Sequence, residues 1–81
     1  MLIRVKLFAA ARQLVGTESI RVEVAGRPTV AALRAALMEQ FPPLAQLLKH
    51  TLIAVNADYA GGQQEIGADD EVACIPPVSG G

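Results

Sequence analysis

The chain has 81 residues, of which 52% are hydrophobic and 19% charged, and its formal net charge is −1. This length makes one domain, too apolar for a disordered chain, and the small net charge with scattered Lys and Arg excludes nucleic acid as a principal ligand. No uncharged stretch supplies the ~18 apolar residues of a membrane span, and the alternating start Met1-Leu2-Ile3-Arg4-Val5-Lys6 is unlike a signal peptide, so a cytoplasmic location is expected.

Ile3, Val5 and Leu7 alternate with Arg4 and Lys6, which predicts a half-buried strand with Phe8 on the charged side. Ala9 to Val15 is Ala-rich and predicts two helical turns ended by Gly16. Ile20, Val22 and Val24 alternate with Ser19, Arg21 and Glu23 and predict a second strand, antiparallel to the first. After a turn at residues 25–28, Thr29 is placed as an N-cap. Val30, Leu33, Leu37 and Phe41 recur at helical spacing until Pro42-Pro43 stops the helix.

A short helical piece is predicted in residues 44–50. Leu52, Ile53 and Val55 predict a buried strand, Asn56-Ala57-Asp58 a turn, and residues 59–66 a loop with one short edge strand. Residues 67–70 form another turn. Glu71 to Ile75 is the last strand, with Val72 and Cys74 on its inner face and Ala73 and Ile75 on the other, ended by Pro76-Pro77.

This order predicts an α+β fold: a mixed sheet with one main helix packed on one face, spanning residues 1–77, followed by a flexible tail, 78–81. A β-grasp fits. A ferredoxin-like sandwich fits the pattern too, but wants two crossover helices of comparable length, and residues 9–15 are too few.

The chemistry points to the end of the sequence. At average usage two given positions are both glycine in roughly 0.5% of chains, and here Ser79-Gly80-Gly81 continues directly from the last strand. A terminal carboxylate can be activated by another enzyme as an acyl adenylate and converted to a thiocarboxylate, and glycine passes a narrow active site without a side chain to collide. Pro76-Pro77 stiffens the base of such an arm.

Elsewhere the residues argue against intrinsic catalysis. A single cysteine and a single histidine exclude an internal disulfide and a zinc constellation. Cys74 reads as a buried structural residue, His50 as a surface one, and Asp69-Asp70-Glu71 as a solvated turn rather than a metal site. No bound cofactor and no metal are expected. Phe8 and Ile75 fall on the outward parity of the first and last strands. If those strands are neighbours they make one apolar patch, with Tyr59 at its border, suited to docking a partner.

Several segments carry a resemblance: Val5-Lys6-Leu7-Phe8-Ala9, Arg12-Gln13-Leu14-Val15-Gly16-Thr17, Pro28-Thr29-Val30-Ala31-Ala32-Leu33-Arg34, Ala54-Val55-Asn56, and the ending from Asp70 through Pro76-Pro77-Val78-Ser79-Gly80-Gly81. In order and spacing they resemble the small, sulfur carrier subunits of molybdopterin synthase, over the whole length. The resemblance implies a ubiquitin-like β-grasp. It implies that Gly81 is adenylated, at the expense of ATP, by an enzyme related to ubiquitin-activating enzymes and then thiocarboxylated. It further implies that the tail, ending in Gly80-Gly81, inserts into a large catalytic subunit, with Pro76, Pro77, Val78 and Ser79 among the partner contacts. There the sulfur passes to cyclic pyranopterin monophosphate to build the dithiolene of molybdopterin, and two charged carriers are consumed per product. By position Phe8, Tyr59 and Ile75 fall on the surface the family uses for its partners. Carriers for thiamine synthesis or transfer-RNA thiolation, protein modifiers and non-covalent ubiquitin-like modules share the fold. Thiamine carriers usually have a shorter stretch than residues 44–66.

Overall fold

Alternation and helical spacing translate into nine short elements, which a computed structural model of the chain describes over residues 1–77. The strands are β1 (Leu2–Leu7), β2 (Ser19–Glu23), β3 (Leu52–Val55), β4 (Asp58–Tyr59) and β5 (Val72–Ile75). The helices are α1 (Ala9–Val15), α2 (Val30–Gln40) and the single turn α3 (Ala45–Leu48), entered through a 3₁₀ turn at Pro42–Leu44. The sheet order is β2-β1-β5-β3-β4. β1 pairs antiparallel with β2 and parallel with β5, and β3 pairs antiparallel with β5 and β4. The last strand is thus the central one, with its two neighbours running in opposite directions. This is the β-grasp arrangement. α1 is too short for a second crossover and merely links antiparallel neighbours, which disposes of the ferredoxin-like alternative.

One face of the sheet is covered. Ile3, Val5 and Leu7 of β1, Ile20 and Val22 of β2, Ile53 and Val55 of β3, and Val72 and Cys74 of β5 are all buried against Val30, Leu33 and Leu37 of α2, with Leu44 and Leu48 closing one end. Spacings of three and four residues put the α2 side chains on one stripe.

The ends of α2 are finished differently. The N–H groups of its first three residues, which no helix can satisfy internally, all find acceptors, and Leu33 makes the first helical bond. Val30 donates to the Gln64 carbonyl (2.9 Å), Ala31 to that of Gly62 (2.9 Å) and Leu33 to that of Thr29 (2.9 Å), while Ala32 donates to Thr29 Oγ1 (3.2 Å). Thr29 is the expected N-cap. The two acceptors from residues 60–66 were not legible, and they pin that loop to the helix, with Ile66 buried beside it. At the other end α2 stops at Gln40, and the two prolines that stop it then begin the 3₁₀ turn. Proline suits a helical first position because its missing N–H is not needed there.

Two expectations need correction. The sequence pattern puts the turn at residues 56–58 and the edge strand beyond it. The turn is two residues, Asn56 and Ala57, with φ of 52° and 69°, and β4 begins at Asp58. Both central residues are left-handed, which matches the twist of a tight hairpin. The pattern puts Leu52 in a buried strand, but it is 50% exposed. In an unbroken apolar run the period of two is hidden, and Leu52 lies opposite Ile75 on the outer face.

Two polar latches complete the domain. The Gln40 carboxamide donates to the Glu23 carbonyl (2.8 Å) and accepts from the Glu23 N–H (3.2 Å), occupying backbone groups on the free edge of β2. The Arg34 guanidinium donates to the carbonyls of Leu48 (2.8 Å) and Thr51, tying α2 to the link between α3 and β3. Among the described residues no buried side-chain nitrogen or oxygen lacks a partner, and no helix is long and apolar enough to cross a membrane.

Candidate functional site

With α2 and its neighbours covering one face, the other face of the sheet is open to solvent. Phe8 leaves the end of β1, is 48% exposed, and its carbonyl accepts from the Ala11 N–H (3.1 Å) at the start of α1. β5 lies directly beside β1, with Leu7 opposite Cys74, so the half-buried Ile75 follows next to Phe8. Tyr59, 69% exposed, is carried across the sheet by the hairpin and stands opposite Ala54. Phe8, Ala54, Tyr59, Ala73 and Ile75 line a shallow concavity of about 380 Å³. Parity thus brings Phe8, Tyr59 and Ile75 onto one surface. Leu52 extends this surface, a residue that sequence reasoning placed in the core; the signal that could have found it is its register, an odd number of residues from Ile53 and Val55.

A charged pair borders the concavity. Lys6 Nζ lies 2.6 Å from Glu71 Oε1. The hydrogen bond from Lys6, then its charge and that of Arg4, hold the Glu71 carboxyl below its usual pKa. Next to it, Asp70 accepts from the Gly67 N–H (2.7 Å) and from Asn56 Nδ2 (3.0 Å), and these bonds lower its pKa. Asn56 Oδ1 in turn accepts from the Glu71 N–H (2.9 Å). The acidic turn therefore spends its oxygens on closing itself and fixing the start of β5. Among the described residues no three His, Cys, Asp or Glu side chains gather as metal ligands.

Cys74 is fully buried, and burial pushes its thiol up to about 11. A thiol this far from its thiolate is no nucleophile at neutral pH. His50 is exposed.

β5 leads from this surface toward the end of the sequence. Pro76, expected among the contact residues, is buried, while Pro77 is exposed. The ring of Pro76 is therefore packed into the body, and Pro77 is the first exposed residue beyond β5. The expectations placed on Val78, Ser79, Gly80 and Gly81 lie outside the described residues.

The model of the ThiS family matches residues 5–81. A relative from Escherichia coli (strain K12), named molybdopterin synthase sulfur carrier subunit, is 40% identical over 82 residues, covering 99% of this chain and 100% of its own. A relative of the same name from Caenorhabditis briggsae is 36% identical, covering 98% and 96%. Among solved structures, SAMP1 from Haloferax volcanii superposes with a TM-score of 0.84 at 31% identity, covering 100% of both chains. A family match that begins within β1 and runs through Gly81, together with relatives alike over nearly their whole length, means that this chain belongs to the ThiS family.

Proposed function

We propose that this protein is the sulfur carrier subunit of a molybdopterin synthase, working in the cytoplasm and without catalytic activity of its own. The observation that carries the reading is the 40% identity to the Escherichia coli sulfur carrier subunit over all of that protein's length.

On this reading residues 1–77 are the body that partners grip, and residues 78–81 are the arm that enters their active sites. An adenylating enzyme related to ubiquitin-activating enzymes spends ATP to convert the Gly81 carboxylate to an acyl adenylate. A sulfur donor displaces AMP and leaves a thiocarboxylate. The carrier then docks on the large catalytic subunit, where the sulfur passes to cyclic pyranopterin monophosphate. Two turns of loading supply the two sulfurs of the dithiolene. Phe8, Tyr59, Ile75 and Leu52 form the gripping surface, the exposed Pro77 ends the body where the arm begins, and the buried Pro76 anchors it. The carrier itself holds no cofactor.

Intact-protein mass tests this. The chain is incubated with a molybdopterin-pathway adenylating enzyme, ATP and a sulfur donor, and compared with a chain lacking Gly81. The full chain is expected to gain the mass of one oxygen replaced by sulfur, and the shortened chain to gain nothing. The described core runs from Ile3 to Cys74, so the shortened chain is expected to melt like the full one. Loading of the shortened chain, or no loading of the full one by an enzyme active on another carrier, overturns the reading. Adducts on lysines of other proteins in place of a sulfur-loaded chain would assign it to the protein modifiers.

A further inference from the structure

Beside the apolar half of the outer face lies a basic half that pairs two like charges. In the antiparallel register of β1 and β2, Arg4 stands directly opposite Arg21. The flanking bonds, Leu7 N–H to the Glu18 carbonyl and Val24 N–H to the Met1 carbonyl, fix which pairs share backbone hydrogen bonds. Arg4–Arg21 falls at a site that does not, where facing side chains come closest. Like charges set opposite each other are destabilising.

The fold does not relieve this repulsion by ion pairing. Of the other charges on this face, Lys6 is taken by Glu71 at 2.6 Å, Arg12 by Glu18 at 3.1 Å, and Glu23 by the chain's amino terminus at 3.4 Å. Among the described residues neither Arg4 nor Arg21 makes an ion pair within 4 Å, and both are exposed. Arg4 is two residues from Lys6 on β1, and Lys6 lines the apolar concavity, so the two cations continue that surface.

We infer that Arg4 and Arg21 together form a cationic clamp for a strip of carboxylates on the protein that covers the adjoining apolar face, taken here to be the large catalytic subunit. This rests on the docking role proposed above. Two guanidinium forks side by side suit two carboxylates, each of which accepts paired N–H donors. An apolar area continuous with the clamp favours a protein surface over a nucleic acid backbone, which asks for many more cations. Charges at the rim of an interface act chiefly on association rate and on partner choice. The like charges thus face each other in the free carrier, where Glu71 attracts Arg4 without a direct ion pair, and carboxylates of the partner supply direct pairs in the complex.

The experiment is stopped-flow association of the full chain with the purified large subunit, at low and high salt. Wild type is compared with Arg4→Gln/Arg21→Gln and with Phe8→Ala. At low salt the double variant is expected to associate about tenfold more slowly than wild type, and the gap is expected to close at high salt. Its melting temperature is expected to rise by roughly 1–5 °C as the repulsion is removed. Phe8→Ala is expected to speed dissociation at every salt concentration. Wild-type association and salt dependence in the double variant, with Phe8→Ala still weakened, overturns the clamp and leaves the docking surface standing. Unchanged binding in Phe8→Ala as well removes the docking surface and the clamp with it. A lower melting temperature in the double variant also overturns the clamp, since the pair is then not repulsive.

Discussion

Ala57 holds a backbone conformation that alanine rarely adopts, with φ at 69° in the second position of the β3–β4 turn. A left-handed residue with a Cβ costs about 1–2 kcal/mol, and replacing it with glycine costs about 0.5–1 kcal/mol through the freedom glycine has in the unfolded chain. Ala57→Gly is therefore expected to stabilise the domain by about 0.5–1 kcal/mol, a rise in melting temperature of roughly 2–8 °C, measurable by calorimetry. A fall would mean that the methyl group of Ala57, which borders the concavity beside Tyr59, contributes more by packing than it costs by strain. The same residue explains why the hairpin was misread by one position. Asn-Gly is the strong signal for a two-residue turn, and Asn56-Ala57 carries only half of it. Phe8 and Ile75 were legible as outward residues because charged or proline neighbours frame them, whereas Leu52, set among Ile53, Ala54 and Val55, has no polar neighbour to declare its parity.

Elements whose residues alternate cleanly or recur at three and four places were legible in full: β1, β2, β5, α1 and α2 stand within a residue or two of where spacing put them. What holds them together was not, because it runs through backbone carbonyls that no side chain announces. The α3–β3 connection is the clearest case. α3 is a single turn, too short to stand alone, and its last residue Leu48 is buried with a carbonyl aimed at Arg34. Thr51 is also buried, its hydroxyl donating to the Leu47 carbonyl (2.7 Å) and its own carbonyl accepting from Arg34. On the helical wheel Arg34 was simply a residue off the apolar stripe. Hydrogen bonds to a charged group contribute about 1.5–3 kcal/mol each when buried, and Arg34 is only half-buried, so Arg34→Met is expected to cost about 2 kcal/mol in urea unfolding. Arg34→Lys is expected to recover less than half of that, because an ammonium lacks the planar fork that reaches two carbonyls at once. Full recovery by lysine would reduce the latch to a matter of charge alone.

For the molecule as a whole, the proposed function puts stability and docking on opposite faces of one five-stranded sheet, and a pair of substitutions separates them. A domain of this size has only about 4–12 kcal/mol to lose. Val72 is fully buried in the central strand, with β1 on one side and β3 on the other. Val72→Asp introduces a carboxyl with no partner there, and burying such a group uncompensated costs several kcal/mol, so the variant is expected to be unfolded or insoluble by circular dichroism. Phe8 sits one residue past the same sheet but is 48% exposed. A buried Phe→Ala change costs about 3–5 kcal/mol; with half the ring already in water and no enclosing cavity to leave behind, Phe8→Ala is expected to cost about 1 kcal/mol of stability. Aromatic anchors at the centre of an interface are worth about 2 kcal/mol or more to binding, so the same change is expected to weaken the complex with the large subunit by about thirtyfold or more. The two measurements are made on one protein sample, melting and titration side by side. A large fall in melting temperature with undiminished affinity would place Phe8 in the core and leave the apolar concavity without a docking role, and a soluble, folded Val72→Asp would refute the inward parity of β5.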